Sequence, residues 1–136
     1  MAAPVQPSRW LVLAAAVLLL ATAAIHGAGY APVTGAVAAA GVAPGLVNAV
    51  SALWLMYSAH LIVLAIVAAL ASGVAGSRRV ILACGLIPAA DTILLLRFVG
   101  VFAGSIAVAA ATVLLVLAGL RQPGRTVSGR AVGSPD

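Results

Sequence analysis

The sequence contains no lysine, and its acidic residues are limited to Asp91 and Asp136. Charged residues make up 7% of its 136 residues, whereas hydrophobic residues make up 65%. A soluble domain carries about 25% charged residues, so this chain has too few to cover a surface that faces water. These shortages exclude a soluble globular protein and indicate an integral membrane protein with several spanning segments.

Cysteine and histidine are also scarce. Cys84 is the single cysteine, which excludes an intramolecular disulfide and any site built on several cysteines. A bis-histidine haem needs both imidazoles at one depth, yet the helical rise predicts that His26 and His60 lie about 15 Å apart. No short-spaced ligand motif is present, so we predict no cofactor and no metal. Zinc bound by Asp91, His60 and a third ligand stays open as an alternative.

The basic residues are all arginines and flank the apolar runs. Membrane topology and anionic lipid head groups explain this pattern better than nucleic acid, so no nucleic-acid partner is predicted. Arg97 is the exception, near the outer end of the third run. The other six fall in the two termini or between the second and third runs: Arg9, Arg78, Arg79, Arg121, Arg125 and Arg130. The positive-inside rule then predicts that both termini face the cytoplasm, and the bacterial inner membrane is the expected location.

Four long apolar runs predict an all-α fold, a bundle of four transmembrane helices. At about 1.5 Å per residue, each run is long enough to span a bilayer. The predicted helices are residues 11–28, 46–71, 80–99 and 101–120.

The predicted domain organisation has three parts. Residues 1–8 are expected to be a disordered cytoplasmic start, residues 9–120 the transmembrane domain, and residues 121–136 a basic disordered cytoplasmic tail. Residues 29–45 are interrupted by proline and glycine but stay apolar, which predicts an outer loop that forms a short interfacial helix or a lid. Residues 21–23 have the A-x-A form of a signal-peptide cleavage site, but we expect the first helix to be retained.

The third run contains Asp91, an acid inside a long apolar segment. An unpaired carboxylate costs several kcal/mol or more in hydrocarbon, so Asp91 needs a proton, a partner or a wet pocket. Trp54, Tyr57 and His60 follow one another at i+3 and share one side of the second helix. Counting the helical rise places Asp91 level with Trp54 and Tyr57, and one to two turns from His60. Trp54 and Tyr57 are therefore predicted to be its neighbours before His60.

These side chains predict a pocket that opens toward the outer side of the membrane. Asp91 is the candidate acid or base, assisted by Tyr57 and His60. His26, Asn48 and Arg97 are expected at the pocket mouth. The full set of candidate ligand-binding residues is Trp54, Asn48, Ser51, Ser58, His26, Arg97 and Cys84.

Each candidate also has a structural interpretation. Asp91 can be a protonated carboxyl that only holds the helices in register, and His60 a neutral imidazole bonded across the bundle. Trp54 can be core packing, and Cys84 an inert buried thiol.

The helical part of the chain resembles small bacterial four-helix membrane proteins of unassigned function, which are DoxX-like in size and topology. The layout that carries this resemblance is RW at 9–10, HG at 26–27, WLMYSAHL at 54–61, LIPAAD at 86–91 and FVG at 98–100. The resemblance implies a fold and no activity. Small multidrug exporters are also four-helix proteins, but their essential carboxylate lies in the first helix, where this chain has none.

Three functions are compatible with these features. The first is a pocket centred on Asp91 that binds a lipophilic small molecule, with acid–base chemistry of the isomerase, cyclase or epoxide-opening type. The second is a proton-coupled transporter of small molecules, for which a homodimer is a candidate assembly. The third is a non-catalytic accessory subunit of a membrane complex. Whether the protein is an enzyme is left open, and the lipid bilayer is the one partner that all three share.

Overall fold

The computed structural model describes residues 7–122, and the ordered elements within this range are all helices. The five helices are α1 (Pro7–Ala28), α2 (Tyr30–Ala39), α3 (Pro44–Ala71), α4 (Arg78–Phe98) and α5 (Ala103–Arg121). The predicted all-α fold is confirmed.

Four helical segments of the described chain are long and apolar enough to cross a membrane. α1 and α2 together form one of them, Ser8–Ala39, and α3, α4 and α5 form the others. Large apolar side chains such as Leu70, Ile93 and Phe98 stand exposed on the outside, where a bilayer would cover them. The protein is therefore a multi-pass membrane protein built on a four-helix bundle.

Residues 29–45, predicted as an outer loop with a short helix or lid, fold mainly into α2. The chain turns at Gly29 and continues as a helix that buries none of its residues and lies against α3. Gly41, with φ of +70°, follows α2 in the left-handed region that suits glycine. The connection between the first two long helices is thus helical over most of its length.

The helix ends extend slightly beyond the predicted boundaries of the transmembrane domain. α1 begins at Pro7, and Ser8 is buried, so these two residues are not part of a disordered start. Arg121 ends α5, and the buried Gln122 accepts a hydrogen bond of 3.3 Å from the hydroxyl of Ser77. The remaining residues of the two predicted disordered segments, 1–6 and 123–136, lie outside the described range.

The helices are arranged in the spatial order α3, α1, α5, α4. α1 packs closely against both α3 and α5, and α4 packs closely against α5. α3 and α4 meet more sparsely. The bundle is therefore best packed along three of its four sides.

The buried core is concentrated at one end of the bundle. We call this end, where α1 and α4 begin and α3 and α5 end, the closed half, and the opposite end the open half. The core of the closed half is rich in alanine, which lets helices approach closely. Its members include Val12, Ala15, Ala16, Leu19, Leu61, Leu64, Ala65, Ala68, Ala71, Ile81, Cys84, Ala111, Leu115 and Ala118.

Candidate functional site

The junction of α1 and α2 at Gly29 forms one wall of the site. The Gly29 N–H donates to the carbonyls of Ile25 and His26, which closes α1. The indole Nε1–H of Trp54 on α3 also donates to the His26 carbonyl, at 2.6 Å. A Cβ atom on Gly29 would lie only 3.0 Å from Trp54 Cζ2. Glycine at this position therefore lets the indole lie against the junction.

The imidazole of His26 is held by three residues of α3. It stacks on the Trp54 ring, with centroids 4.1 Å apart and planes inclined by 16°. Its Nδ1 shares a hydrogen bond of 3.0 Å with the Ser58 hydroxyl, and its edge meets the Tyr57 ring at 4.9 Å. Because Nδ1 is engaged, Nε2 is the ring nitrogen left for another partner, and it makes no hydrogen bond to residues 7–122.

The Tyr57 ring lies next to both histidines, and its hydroxyl makes no hydrogen bond to residues 7–122. Its ring stacks against His60, with centroids 5.9 Å apart. The hydroxyl oxygen is buried, yet it has no hydrogen-bond partner within the described part of the chain. A buried polar group without a partner costs about 1–3 kcal/mol. An orphan of this kind points to a ligand atom or a water molecule beside it.

His60 and Asp91 join α3 to α4. His60 Nε2 and Asp91 Oδ2 share a hydrogen bond of 3.0 Å. The side chains are 34% and 16% exposed, respectively. Within α4, Pro88 lies one turn before Asp91 and cannot donate to the Cys84 carbonyl. The hydrogen bond that Pro88 removes from α4 is therefore missing close to the His60–Asp91 pair.

The predicted order of neighbours around Asp91 is wrong. His60 is its direct partner, whereas Trp54 contacts His26. The depth of each residue was calculated from the predicted helix ends, which assumes that those ends lie in one plane. An error of one helical turn is enough to place His60, instead of Tyr57, beside Asp91. His26, expected at the mouth and far from His60, instead contacts Tyr57, the residue on which His60 stacks.

A cavity of about 460 Å³ lies in the open half, between α1, α3, α4 and α5. Its wall is apolar apart from a few groups, and includes both rings that hold His26 in place. Asp91 and His60 do not line this cavity, whereas His26 and Tyr57 do. The lining residues are Thr22, Ile25, His26, Trp54, Tyr57, Leu95, Val99, Phe102, Ala103, Gly104 and Val108.

Five predicted ligand-binding residues do not line the cavity. Asn48 is exposed in the first turns of α3, and the Ser51 hydroxyl donates to a carbonyl of its own helix. Cys84 is buried in the core of the closed half. Arg97 is exposed and lies over the Phe98 ring, with its guanidinium carbon 5.4 Å from the ring centroid. Ser58 acts on the cavity through its hydrogen bond to His26.

Sequence reasoning missed the apolar part of the wall. Thr22, Leu95, Val99 and Val108 look like any other residues of an apolar helix, and no spacing sets them apart. Phe102 could have been found, since it stands in the turn marked by nearby glycines. Apolar cavity walls carry no chemical signature, and only the packing of the helices defines them.

The described residues, 7–122, do not form a metal centre. In the range 7–122, no three residues of the His, Cys, Asp and Glu types come together in a geometry that could hold a metal ion. Asp91 and His60 supply two ligands, whereas zinc sites need at least three from the protein. The alternative of a zinc site therefore lacks its third ligand in this part of the chain.

Comparison with known proteins adds no functional assignment to this geometry. The resemblance to DoxX-like proteins rests on residue layout. No protein-family model, curated protein or solved structure matches this chain.

Proposed function

We propose that the protein binds a lipophilic small molecule in the cavity of the open half. The observation that carries the proposal is the buried Tyr57 hydroxyl, which has no partner among residues 7–122 although the tyrosine lines the cavity. Cavities that hold small molecules measure about 300–1,000 Å³ and combine apolar walls with a few polar groups. The volume of about 460 Å³ and the largely apolar wall agree with this description.

The arrangement of the polar groups suggests the chemistry of the ligand. The Tyr57 hydroxyl and His26 Nε2 are the groups available to bind one oxygen or nitrogen of a ligand. The stacked rings of His26 and Trp54 offer a flat apolar surface beside them. A mainly apolar molecule with one polar end, preferably on a flat ring, satisfies both features.

Direct acid–base catalysis by Asp91 is not part of the proposal. Asp91 pairs with His60, and His60 in turn stacks on Tyr57, which lines the cavity. Asp91 and His60 therefore support the wall from behind, and a reacting atom in the cavity would meet Tyr57 and His26 first.

The arginine distribution supports both termini in the cytoplasm, and the resemblance to small bacterial membrane proteins supports the bacterial inner membrane as the location. α1 begins and α5 ends in the closed half. In this orientation the closed half lies toward the cytoplasm, and the cavity lies toward the outer side.

The proposal is tested by filling the cavity from α5. Val108 is fully buried and lines the cavity, whereas Ala110 is exposed on the same helix, so Val108→Phe and Ala110→Phe form a matched pair. Native mass spectrometry of protein purified in mild detergent should detect a retained small molecule on the wild type and on Ala110→Phe. Val108→Phe should lose it. If Val108→Phe does not fold, Ala103→Phe takes its place, because Ala103 also lines the cavity and lies at its mouth.

Equal retention by Val108→Phe, Ala103→Phe and Ala110→Phe would show that the molecule binds outside the cavity and would overturn the proposal. Absence of any retained molecule from the wild type would count against it as well. Circular dichroism and size-exclusion chromatography confirm that each variant is folded before it is compared.

Proton-coupled transport is the second candidate, and the position of the His60–Asp91 pair favours it. The pair joins α3 to α4, which pack most sparsely among the neighbouring long helices. Protonation of Asp91 would remove a negative charge from this contact and let the two helices separate. In proteoliposomes, a pH gradient should drive uptake of a fluorescent lipophilic amine through the wild type and not through Asp91→Asn. Equal uptake by both proteins, or none by the wild type, would exclude this candidate.

A further inference from the structure

The turn between α4 and α5 places an aromatic ring at the rim of the cavity. Phe102 lines the cavity and is at the same time 42% exposed. The other exposed members of the wall, Ile25, Val99 and Ala103, also belong to this rim. Side chains that are exposed and also line the cavity lie where the cavity meets the surface of the bundle.

The backbone at Phe102 is firmly held. Its N–H donates to the Ser105 hydroxyl at 3.0 Å, and that hydroxyl donates to the Phe102 carbonyl at 2.9 Å. Ser105 is buried. On the other side, Gly100 has a φ of +94° and its N–H donates to the Leu95 carbonyl, which ends α4. The side chain of Phe102 is therefore the part of the turn that can move.

Gly104 provides the space in which the ring rests. A Cβ atom on Gly104 would overlap Cε2 of the Phe102 ring and lie 3.1 Å from Cζ and 3.2 Å from Cδ2. These atoms belong to the far end of a side chain, which can turn away by rotating about its own bonds. A methyl group at residue 104 would thus displace the ring and leave the backbone in place.

We infer that Phe102 determines the size of the molecules that reach the cavity. The inference rests on the proposed function, because the molecules selected are the lipophilic ligands of that cavity. Narrow molecules pass beside the ring, whereas bulky ones must first move it off Gly104. The ring thus selects by size at the rim, while the polar groups inside select by chemistry.

Trp54 gives a direct measurement of access, because its indole lines the cavity. The second tryptophan, Trp10, is exposed at the start of α1 and is removed by Trp10→Phe in all proteins compared. Two lipophilic quenchers of tryptophan fluorescence, the small trichloroethanol and the bulky nitroxide TEMPO, are added to protein in detergent. Each quenching constant is normalised to that of a free tryptophan derivative in the same micelles.

The wild-type ring should discriminate against the bulky quencher. Phe102→Ala should raise quenching by TEMPO about threefold or more relative to quenching by trichloroethanol, since the barrier at the rim is removed. Phe98→Ala is the matched control, because Phe98 is an exposed ring nearby on α4 that does not line the cavity. The inference would be overturned if the ratio of the two quenching constants were the same in Phe102→Ala, Phe98→Ala and the Trp10→Phe protein from which both are made.

Gly104→Ala tests the same idea without removing the ring. Gly104→Ala should change the ratio of the two quenching constants when Phe102 is present, because the methyl group acts through the ring. In the Phe102→Ala background the ratio should stay the same. Equal effects of Gly104→Ala in both backgrounds would show that residue 104 acts independently, and the inference would fail. Phe102→Leu replaces Phe102→Ala if the alanine variant does not fold.

The two proposals fail in different ways. Size selection with no retained molecule on the wild type would remove the proposed function and leave Phe102 as the residue that controls access to an empty cavity. The opposite outcome is that Val108→Phe loses the retained molecule while substitution of Phe102 leaves quenching unchanged. The proposed function would then stand, and Phe102 would have no role in access.

Discussion

The two halves of the bundle use the same four long helices in different ways. In the closed half, helices meet on small residues: Gly119 lies against Leu82, and Gly85 lies against the Val116 side chain. In the open half, the helices leave a cavity, and contacts between them run through rings and hydrogen bonds such as that from Trp54 to the His26 carbonyl. The closed half holds the fold together, and its stability lets the open half keep a cavity and the Tyr57 hydroxyl, which has no partner among residues 7–122.

The largest expected difference between the halves is in the response to leucine truncation. Leu115 is fully buried in the closed half, whereas Leu95 lines the cavity. Leu115→Ala should lower the free energy of unfolding by about 2–5 kcal/mol, because a void in packed surroundings loses its contacts. Leu95→Ala enlarges a space that already exists and should cost about 1 kcal/mol or less. Reversible unfolding in mixed micelles measures both, and equal losses would show that the open half is packed as tightly as the closed half.

A second contrast uses glycine. A Cβ atom on Gly119 would lie 2.6 Å from Leu82 Cδ2 and 3.5 Å from the Leu82 backbone nitrogen. Gly119→Ala should therefore destabilise the protein by about 1–3 kcal/mol through overpacking.

Gly45 is the control for this change, since a Cβ atom there would meet nothing within 4 Å. Gly45→Ala should be neutral or stabilising by up to about 1 kcal/mol, because alanine favours a helix. The same unfolding measurement decides the matter. A Gly119→Ala protein as stable as Gly45→Ala would mean that α4 and α5 do not depend on close approach.

The sequence was sufficient to predict the helices. Apolar runs of about 20 residues leave few alternatives to membrane-spanning helices, and the four predicted runs match the long helices within a few residues at each end. Glycine, proline and arginine between the runs identified the turns. The sequence analysis expected a short helix or a lid in the apolar segment 29–45, and α2 is such a helix.

The register between helices could not be predicted in the same way. His26 was expected at the mouth because α1 was expected to end there, but the helix continues through α2 after a turn at Gly29. The side chain of His26 therefore lies beside Trp54 and Ser58, within the open half. Likewise Asp91 meets His60, one turn along α3 from Tyr57. The tilt and the axial offset between helices determine such pairings, and the spacing of residues along one helix predicts neither.

A smaller effect is expected at the junction of α1 and α2. Gly29→Ala brings a methyl group within 3.0 Å of Trp54 Cζ2 and 3.3 Å of the His26 carbonyl oxygen, so the indole must shift. Gly35→Ala, on α2, meets nothing within 4 Å and is the control. In the Trp10→Phe background, Gly29→Ala should change the Trp54 emission maximum and reduce molecule retention several-fold, while stability changes by about 1 kcal/mol. Spectra that coincide for the two variants would show that Trp54 does not rely on Gly29.

The smallest effect on the cavity is expected from Asp91→Asn. Asp91 is bonded to His60 and does not line the cavity, whereas Tyr57 lines it and its hydroxyl has no partner among residues 7–122. Asp91→Asn should change the retention of the small molecule by about twofold at most, because an amide oxygen can still accept from His60. Tyr57→Phe removes the group that we assign to the ligand and should lower retention about tenfold, as the loss of roughly 1.4 kcal/mol would do. Quantitative native mass spectrometry compares the two variants at equal protein concentration. If Asp91→Asn loses the molecule and Tyr57→Phe keeps it, the polar centre of the site is the carboxylate, and the open half is organised around α4 instead of α3.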